Sequence, residues 1–119
     1  MTPEQKREWL NWATEQGLIE CEAHEGCTHW YVKSLKSPLV ADEANGEIEF
    51  YPTFMLVVLD WIDERGLLLR QLDIKDSSTS KIFRVTIETY KDEIIATQYA
   101  TSRLEALCGA FKEAVTSAS

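Results

Sequence analysis

Four side chains that can bind a metal ion occur close together, in the pattern Cys21-x-x-His24-x-x-Cys27-x-His29. Zinc in proteins is bound tetrahedrally by Cys and His, so this cluster could form a structural zinc site, with Cys108 as an alternative ligand. Two features argue against zinc. Most such sites use two ligand pairs separated by a longer loop, and strand alternation directs Cys21 toward the core. The alternative is a buried, apolar Cys21 beside ordinary loop residues, with no cofactor.

The same segment pairs a thiol with an imidazole, Cys27 with His24 or His29, as nucleophilic catalysis would require. A catalytic cysteine also needs a lowered thiol pKa and groups that stabilise the developing negative charge. No glycine-rich element or oxyanion-hole loop accompanies these residues, and the sequence contains no phosphate-binding loop or dinucleotide fingerprint. We therefore predict a protein without enzymatic activity, with a cysteine-dependent enzyme as a further alternative.

The 119-residue chain carries a net charge of −8, and its acidic residues are concentrated in the first half. Residues 1–66 contain thirteen acidic and five basic residues, whereas residues 67–119 contain seven of each. This distribution argues against direct binding of nucleic acid or of an anionic membrane, because both require clustered Lys and Arg. It is compatible with a protein partner that has a basic surface, while simple solubility is the alternative explanation of the acidity.

We expect the acidic first half of the chain to form the surface that binds such a partner. Trp12 is added to this surface because it lies off the buried stripe that Trp9 and Ala13 define, and tryptophans are frequent anchors of interfaces. The candidate protein-binding residues are Trp12, Glu20, Glu22, Glu25, Asp42, Glu43, Glu47 and Glu49.

Local signals predict an α+β fold in the order α-β-β-(β)-α-β-β-β-α, with an antiparallel sheet packed by helices. Thr2 and Gln5 form a capping box at the start of the first helix. Asn45-Gly46 precedes a short optional strand, and residues 34–47 otherwise carry few regular signals, so we interpret them as a connection. The predicted helices are 3–16, 52–65 and 102–115, and the predicted strands are 19–23, 29–33, 47–51, 67–74, 81–90 and 94–99.

A chain of this length is sufficient for one domain with its own core. We predict a single domain over residues 1–119, in which 1–51 form an acidic extension of a helix and a hairpin and 52–116 form an α-β-β-β-α core. The N-terminus lacks a basic segment followed by an apolar stretch. The longest apolar run, from Phe54 to Leu59, is far shorter than the ~20 residues that span a bilayer. These features predict a cytoplasmic protein with reduced cysteines.

The second half of the chain has a recognisable pattern. A helix ends in Asp63-Glu64-Arg65-Gly66, strands follow at 67–74 and around 83–87, and the final helix begins after Ala100-Thr101-Ser102. In these features, residues 52–115 resemble a family of small phage proteins, the phage ABA-sandwich domain. The resemblance implies an open sandwich of helix, three strands and helix, and a phage or prophage origin. Small acidic phage proteins often block host proteins, including nucleases of defence systems. Our leading hypothesis is therefore a phage-encoded inhibitor of a host defence or nucleic-acid-binding protein, such as an anti-CRISPR protein.

Overall fold

The structure is a computed structural model that describes residues 1–32, 39–75 and 81–118. These residues form helices and two antiparallel sheets in the order α-β-β-β-β-α-β-β-β-α, which confirms the predicted α+β class. The helices are α1 (Pro3–Glu15), α2 (Phe54–Glu64) and α3 (Arg103–Ser117). The first sheet has the strand order β1 (Ile19–His24), β2 (Cys27–Val32), β3 (Leu39–Ala44), β4 (Glu47–Phe50). The second sheet has the order β5 (Leu67–Lys75), β6 (Lys81–Thr89), β7 (Ile94–Ala100).

Strand β3 is the largest departure from the sequence-based prediction, because it lies in a segment that we expected to be a connection. Val40 and Ala41 are fully buried, and β3 pairs with β2 on one side and with β4 on the other. Residues 41–44 are Ala, Asp, Glu and Ala, which have low β propensity. This strand is therefore stabilised by its pairing with two neighbouring strands and not by the preferences of its own residues. Asn45 and Gly46 turn the chain into β4 as predicted, with φ of 55° and 78°. Residues 34–38 of the predicted connection lie outside the described residues.

The chain divides into two compact units, Met1–Asp60 and Trp61–Ser119. The single domain over residues 1–119, and its division near residue 52, stay predictions. Among the residues that the structure describes, no helix is both long and apolar enough to cross a bilayer.

In the first unit, α1 packs on one face of the four-stranded sheet. Thr2 Oγ1 accepts a hydrogen bond from the backbone N–H of Gln5 (3.1 Å), and Gln5 Oε1 accepts one from the backbone N–H of Thr2 (2.8 Å). The predicted capping box is therefore confirmed. Trp9 of α1 contacts Phe50 of β4 and also Phe54, with ring centroids 6.0 and 5.2 Å apart. These contacts place α1 on the side of the sheet to which Phe50 points.

In the second unit, α3 packs on one face of the three-stranded sheet. Gly109 of α3 lies so close to Gln98 of β7 that an added Cβ would be 3.2 Å from Gln98 Cγ. On the same face, the Arg103 guanidinium lies 5.1 Å from the centre of the Phe83 ring. Val85, which shares that face on the central strand, is fully buried. The face of this sheet that α3 covers is thus the one to which Phe83, Val85 and Gln98 point.

Candidate functional site

The pairing register of the first sheet determines which of the predicted site residues share a face. Successive side chains of a strand point to opposite faces, and directly paired residues point to the same face. One line of paired residues crosses all four strands: Glu22, His29, Asp42 and Glu49. We call the face that contains this line the acidic face; it is formed by Glu20, Glu22, His24, Cys27, His29, Tyr31, Asp42, Ala44, Glu47 and Glu49.

The opposite face of this sheet is the one that α1 covers. Phe50, which contacts Trp9, alternates with Glu49 along β4 and therefore points away from the acidic face. The buried Trp30 alternates in the same way with His29 along β2. On the acidic face, by contrast, Asp42 is half-buried and the other four carboxylates are exposed: Glu20, Glu22, Glu47 and Glu49.

Five of the seven acidic residues that we predicted to bind a partner lie on the acidic face. Glu25 is exposed in the turn between β1 and β2. Glu43 follows Asp42 along β3 and points to the other face, where both of its carboxylate oxygens bind the Arg7 guanidinium. The hydrogen bond to Glu43 raises the pKa of Arg7. Glu43 is therefore engaged within the fold and does not belong to the acidic face.

Trp12 also belongs to a different surface from the carboxylates with which we grouped it. Its ring is half-buried on α1 and lies 5.8 Å from that of Trp9, at an interplanar angle of 53°. The sequence analysis placed Trp12 off the buried stripe of Trp9 and Ala13, whereas in the structure its ring contacts that of Trp9. Helical spacing could not show that α1 would pack on the face of the sheet opposite to the acidic face.

The register separates the four predicted metal ligands. His24, Cys27 and His29 lie on the acidic face, whereas Cys21 is paired with Trp30 and points to the other face. Cys21 is exposed there, so the expectation that it faces the core is wrong. The reason is that β1 is an edge strand in which only the first residue is buried.

The two imidazoles of the acidic face contact neighbouring polar groups. Their rings meet edge to face with centroids 5.4 Å apart. His24 Nε2 lies 3.1 Å from Glu22 Oε1, and His29 Nδ1 lies 3.5 Å from Tyr31 Oη. Within residues 1–32, 39–75 and 81–118, no group of three or more His, Cys, Asp or Glu side chains is arranged to hold a metal ion. The zinc site stays a prediction.

The thiols differ in their surroundings. Cys27 is half-buried and is paired with His24 across the hairpin. Partial loss of hydration raises the pKa of Cys21, and burial in α3 raises that of Cys108 more strongly. A raised pKa disfavours the thiolate, so neither of these two thiols is activated as a nucleophile. The absence of enzymatic activity, with Cys27 as the nucleophile of the alternative, stays a prediction.

Two tyrosines that the sequence analysis did not single out adjoin carboxylates of the acidic face. Tyr51 Oη donates a hydrogen bond to Asp42 Oδ2 at 2.8 Å, and this bond is the main cause of the raised pKa of Tyr51. The pKa of Tyr31 is raised chiefly by burial and further by Glu22. The sequence contained a signal for Tyr51, since it lies two residues after Glu49 in the strand predicted at 47–51 and would therefore share its face. The hydrogen bond to Asp42 could not be predicted, because it requires strand β3, which the sequence did not reveal.

A scan against protein-family models found no matching family, and searches of curated proteins and of solved structures found no significant match. The resemblance of residues 52–115 to phage ABA-sandwich proteins therefore stays a prediction.

Proposed function

We propose that this chain is a non-enzymatic protein-binding module whose acidic face binds the basic surface of a partner protein. The observation that carries the proposal is the register of the first sheet, which gathers five carboxylates on the face opposite to α1. In its most specific form, suggested by the resemblance to phage proteins, the partner is a defence protein or another nucleic-acid-binding protein in the cytoplasm of a bacterial host. The chain would then act as an inhibitor of that protein.

The charge pattern of the acidic face favours a cationic partner. Asp42 and Glu49 are directly paired on neighbouring strands, and like charges in that arrangement destabilise an antiparallel pair. Tyr51 offsets part of this repulsion by donating its hydrogen bond to Asp42. Lys or Arg side chains of a partner would relieve the rest, because they neutralise carboxylates that the fold holds close together.

Inhibition would follow from competition for one site. A groove that binds nucleic acid holds clustered Lys and Arg side chains that neutralise phosphates. Neighbouring strands of a sheet are about 4.8 Å apart, so carboxylates on them also present closely spaced negative charges. The acidic face and a nucleic acid would therefore exclude each other from such a groove. Exposed charges are screened beyond about 8 Å at physiological ionic strength. Binding should therefore weaken steeply as salt is added.

The experiment compares two charge-reversal variants of equal net charge. Glu22→Lys/Glu49→Lys alters the acidic face, and Glu8→Lys/Glu15→Lys alters two exposed positions of α1. Each Glu→Lys substitution adds two positive charges, so both variants have a net charge of −4 instead of −8. The immobilised wild type and both variants are incubated with a lysate of a bacterial host, and proteins eluted by a salt gradient are identified by mass spectrometry.

We expect the wild type and the α1 variant to retain a basic protein that the acidic-face variant loses. Once purified, that protein should bind its nucleic acid less well when the wild-type chain is added. Equal retention by the two variants would contradict the proposal, because binding would then depend on another surface. Equal loss would contradict it too, because only net charge would matter.

A further inference from the structure

A second surface, on the three-stranded sheet of the second unit, is independent of the acidic face. Phe83 and Gln98 point to the face that α3 covers. Arg84 and Tyr99 are the next residues along their strands, so both point to the opposite face. They are paired with each other, and Leu72 on β5, which is paired with Arg84, points to the same face. We call this the Arg84 face; Arg70, Leu72, Arg84, Glu88 and Tyr99 belong to it.

Two large hydrophobic side chains are exposed on the Arg84 face, one on each side of Arg84. Leu72 and Tyr99 are 48% and 58% exposed. They are two of the six large hydrophobic residues that are exposed in the described part of the chain. Single exposed hydrophobic residues are common on protein surfaces, but two that flank an arginine on one face indicate an interaction surface.

Arg84 lies at the centre of this face, half-buried between Leu72 and Tyr99 on the neighbouring strands. The other arginine of the face, Arg70, forms an ion pair with Glu88. Arg84 forms no ion pair or hydrogen bond within the ranges that the structure describes. Among the described residues of this face, Arg84 is therefore the positive charge without an acidic partner, in a chain whose net charge is −8. Arginine and tyrosine are also the residue types most often found where binding energy is concentrated.

We propose that the Arg84 face binds a segment of a partner protein in which an acidic residue is flanked by apolar side chains. The carboxylate would pair with the Arg84 guanidinium, whose planar geometry suits bidentate binding of a carboxylate. The apolar neighbours would contact Leu72 and Tyr99. A second copy of this chain fits less well, because a two-fold contact centred on Arg84 would bring two guanidinium groups together. This partner is opposite in charge to the partner of the acidic face, so each surface is tested separately.

The experiment uses the full chain and a displayed library of short random peptides. Peptides selected on the wild type are titrated against the wild type, Arg84→Gln and Lys91→Gln. Both variants lose one positive charge, and Lys91 is an exposed residue in the turn between β6 and β7, outside the Arg84 face. Arg84→Lys is a further variant, which keeps the charge and loses the bidentate geometry. Circular dichroism checks that each variant is folded.

We expect the selected peptides to share an acidic residue with apolar neighbours. Their affinity should fall about tenfold with Arg84→Gln, as for loss of one charge-assisted contact, and less with Arg84→Lys. Lys91→Gln should leave it nearly unchanged. Failure to select any peptide, peptides without an acidic residue, or an affinity unaffected by Arg84→Gln would each overturn the proposal.

Two control measurements examine other occupants of the face. The first is binding of a single-stranded oligothymidylate, and the second is sedimentation of the chain at increasing concentration. Oligothymidylate binding that is lost with Arg84→Gln would make the occupant a nucleic acid. A dimer that is lost with the same variant would make it a second copy. Either result would also overturn the proposal, whereas no oligothymidylate binding and a monomer would support it.

Discussion

Replacing Gly109 by alanine tests which face of the second sheet α3 covers. Gly109 lies in the interior of α3, where glycine is about 1 kcal/mol less favourable than alanine, because its backbone loses more freedom on folding. This effect alone predicts a stabilised variant. The new Cβ would, however, lie 3.2, 3.5 and 3.6 Å from three side-chain carbons of Gln98, and the shortest of these distances is tighter than ordinary van der Waals contact.

Gln98 cannot move aside without a cost, because its Nε2 donates a hydrogen bond to Glu113 Oε2 at 2.7 Å. Losing this bond costs about 1 kcal/mol, and inserting a methyl group into a close contact costs a further ~1 kcal/mol. Set against the gain of about 1 kcal/mol in helix propensity, Gly109→Ala should lower the free energy of unfolding by about 1 kcal/mol. In a Gln98→Ala background both costs disappear, and the same substitution should raise it by about 1 kcal/mol.

The assay is urea denaturation, followed by circular dichroism, of the wild type, the two single variants and the double variant. With a slope of about 2 kcal/mol per M, Gly109→Ala should lower the midpoint by about 0.5 M in the wild type and raise it by about 0.5 M in Gln98→Ala. The coupling energy between the two sites should be about 2 kcal/mol. Equal changes in both backgrounds would show that Gly109 does not contact Gln98. That result would also remove one of the two contacts from which Arg84 is assigned to the face opposite to α3, the other being that of Arg103 with Phe83.

Tyr51 and the cysteines provide two further tests. The hydrogen bond to Asp42 raises the pKa of Tyr51 in the folded protein above its unfolded value of about 10. The stability that this hydrogen bond contributes is therefore complete below pH ~10 and is lost as the pH rises through the folded pKa. The difference in urea midpoint between wild type and Tyr51→Phe should therefore shrink above about pH 10, and parallel curves would contradict the hydrogen bond. At neutral pH, a thiol reagent should modify Cys21 and Cys27 but spare Cys108 until the protein unfolds, because burial excludes the reagent and raises the pKa of that thiol. Peptide mapping by mass spectrometry measures this, and rapid modification of Cys108 in the folded protein would show that the buried side of α3 is accessible.

Element types were predictable wherever the local signals were strong. The capping box of Thr2 and Gln5 indicated the start of α1, and the long apolar alternation at 81–90 indicated β6. Strand β3 was missed because its residues 41–44 have little preference for a strand, and its conformation is stabilised by hydrogen bonds to β2 and β4. Such hydrogen bonds involve residues distant in sequence and leave no local pattern.

The candidate site was predictable in its residue types but not in its arrangement. Seven acidic residues were proposed from charge alone, and the register placed five of them on one face. Cys21 was grouped with three other metal ligands because they are close in sequence. A strand, however, directs residues an odd number of positions apart to opposite faces, so Cys21 is separated from His24.

By itself, the sequence determined the net charge, its concentration in residues 1–66 and the α+β class, because composition and local periodicity do not depend on which strands pair. Only the tertiary structure decided which side chains share a face, since a shift of one residue in register moves every side chain of a strand to the other side. Asp42 and Glu43 are adjacent and chemically alike, yet one lies on the acidic face and the other binds Arg7 beneath α1. In the second sheet, strand pairing likewise brings Arg84 between two exposed hydrophobic residues, Leu72 and Tyr99, that are distant from it in sequence.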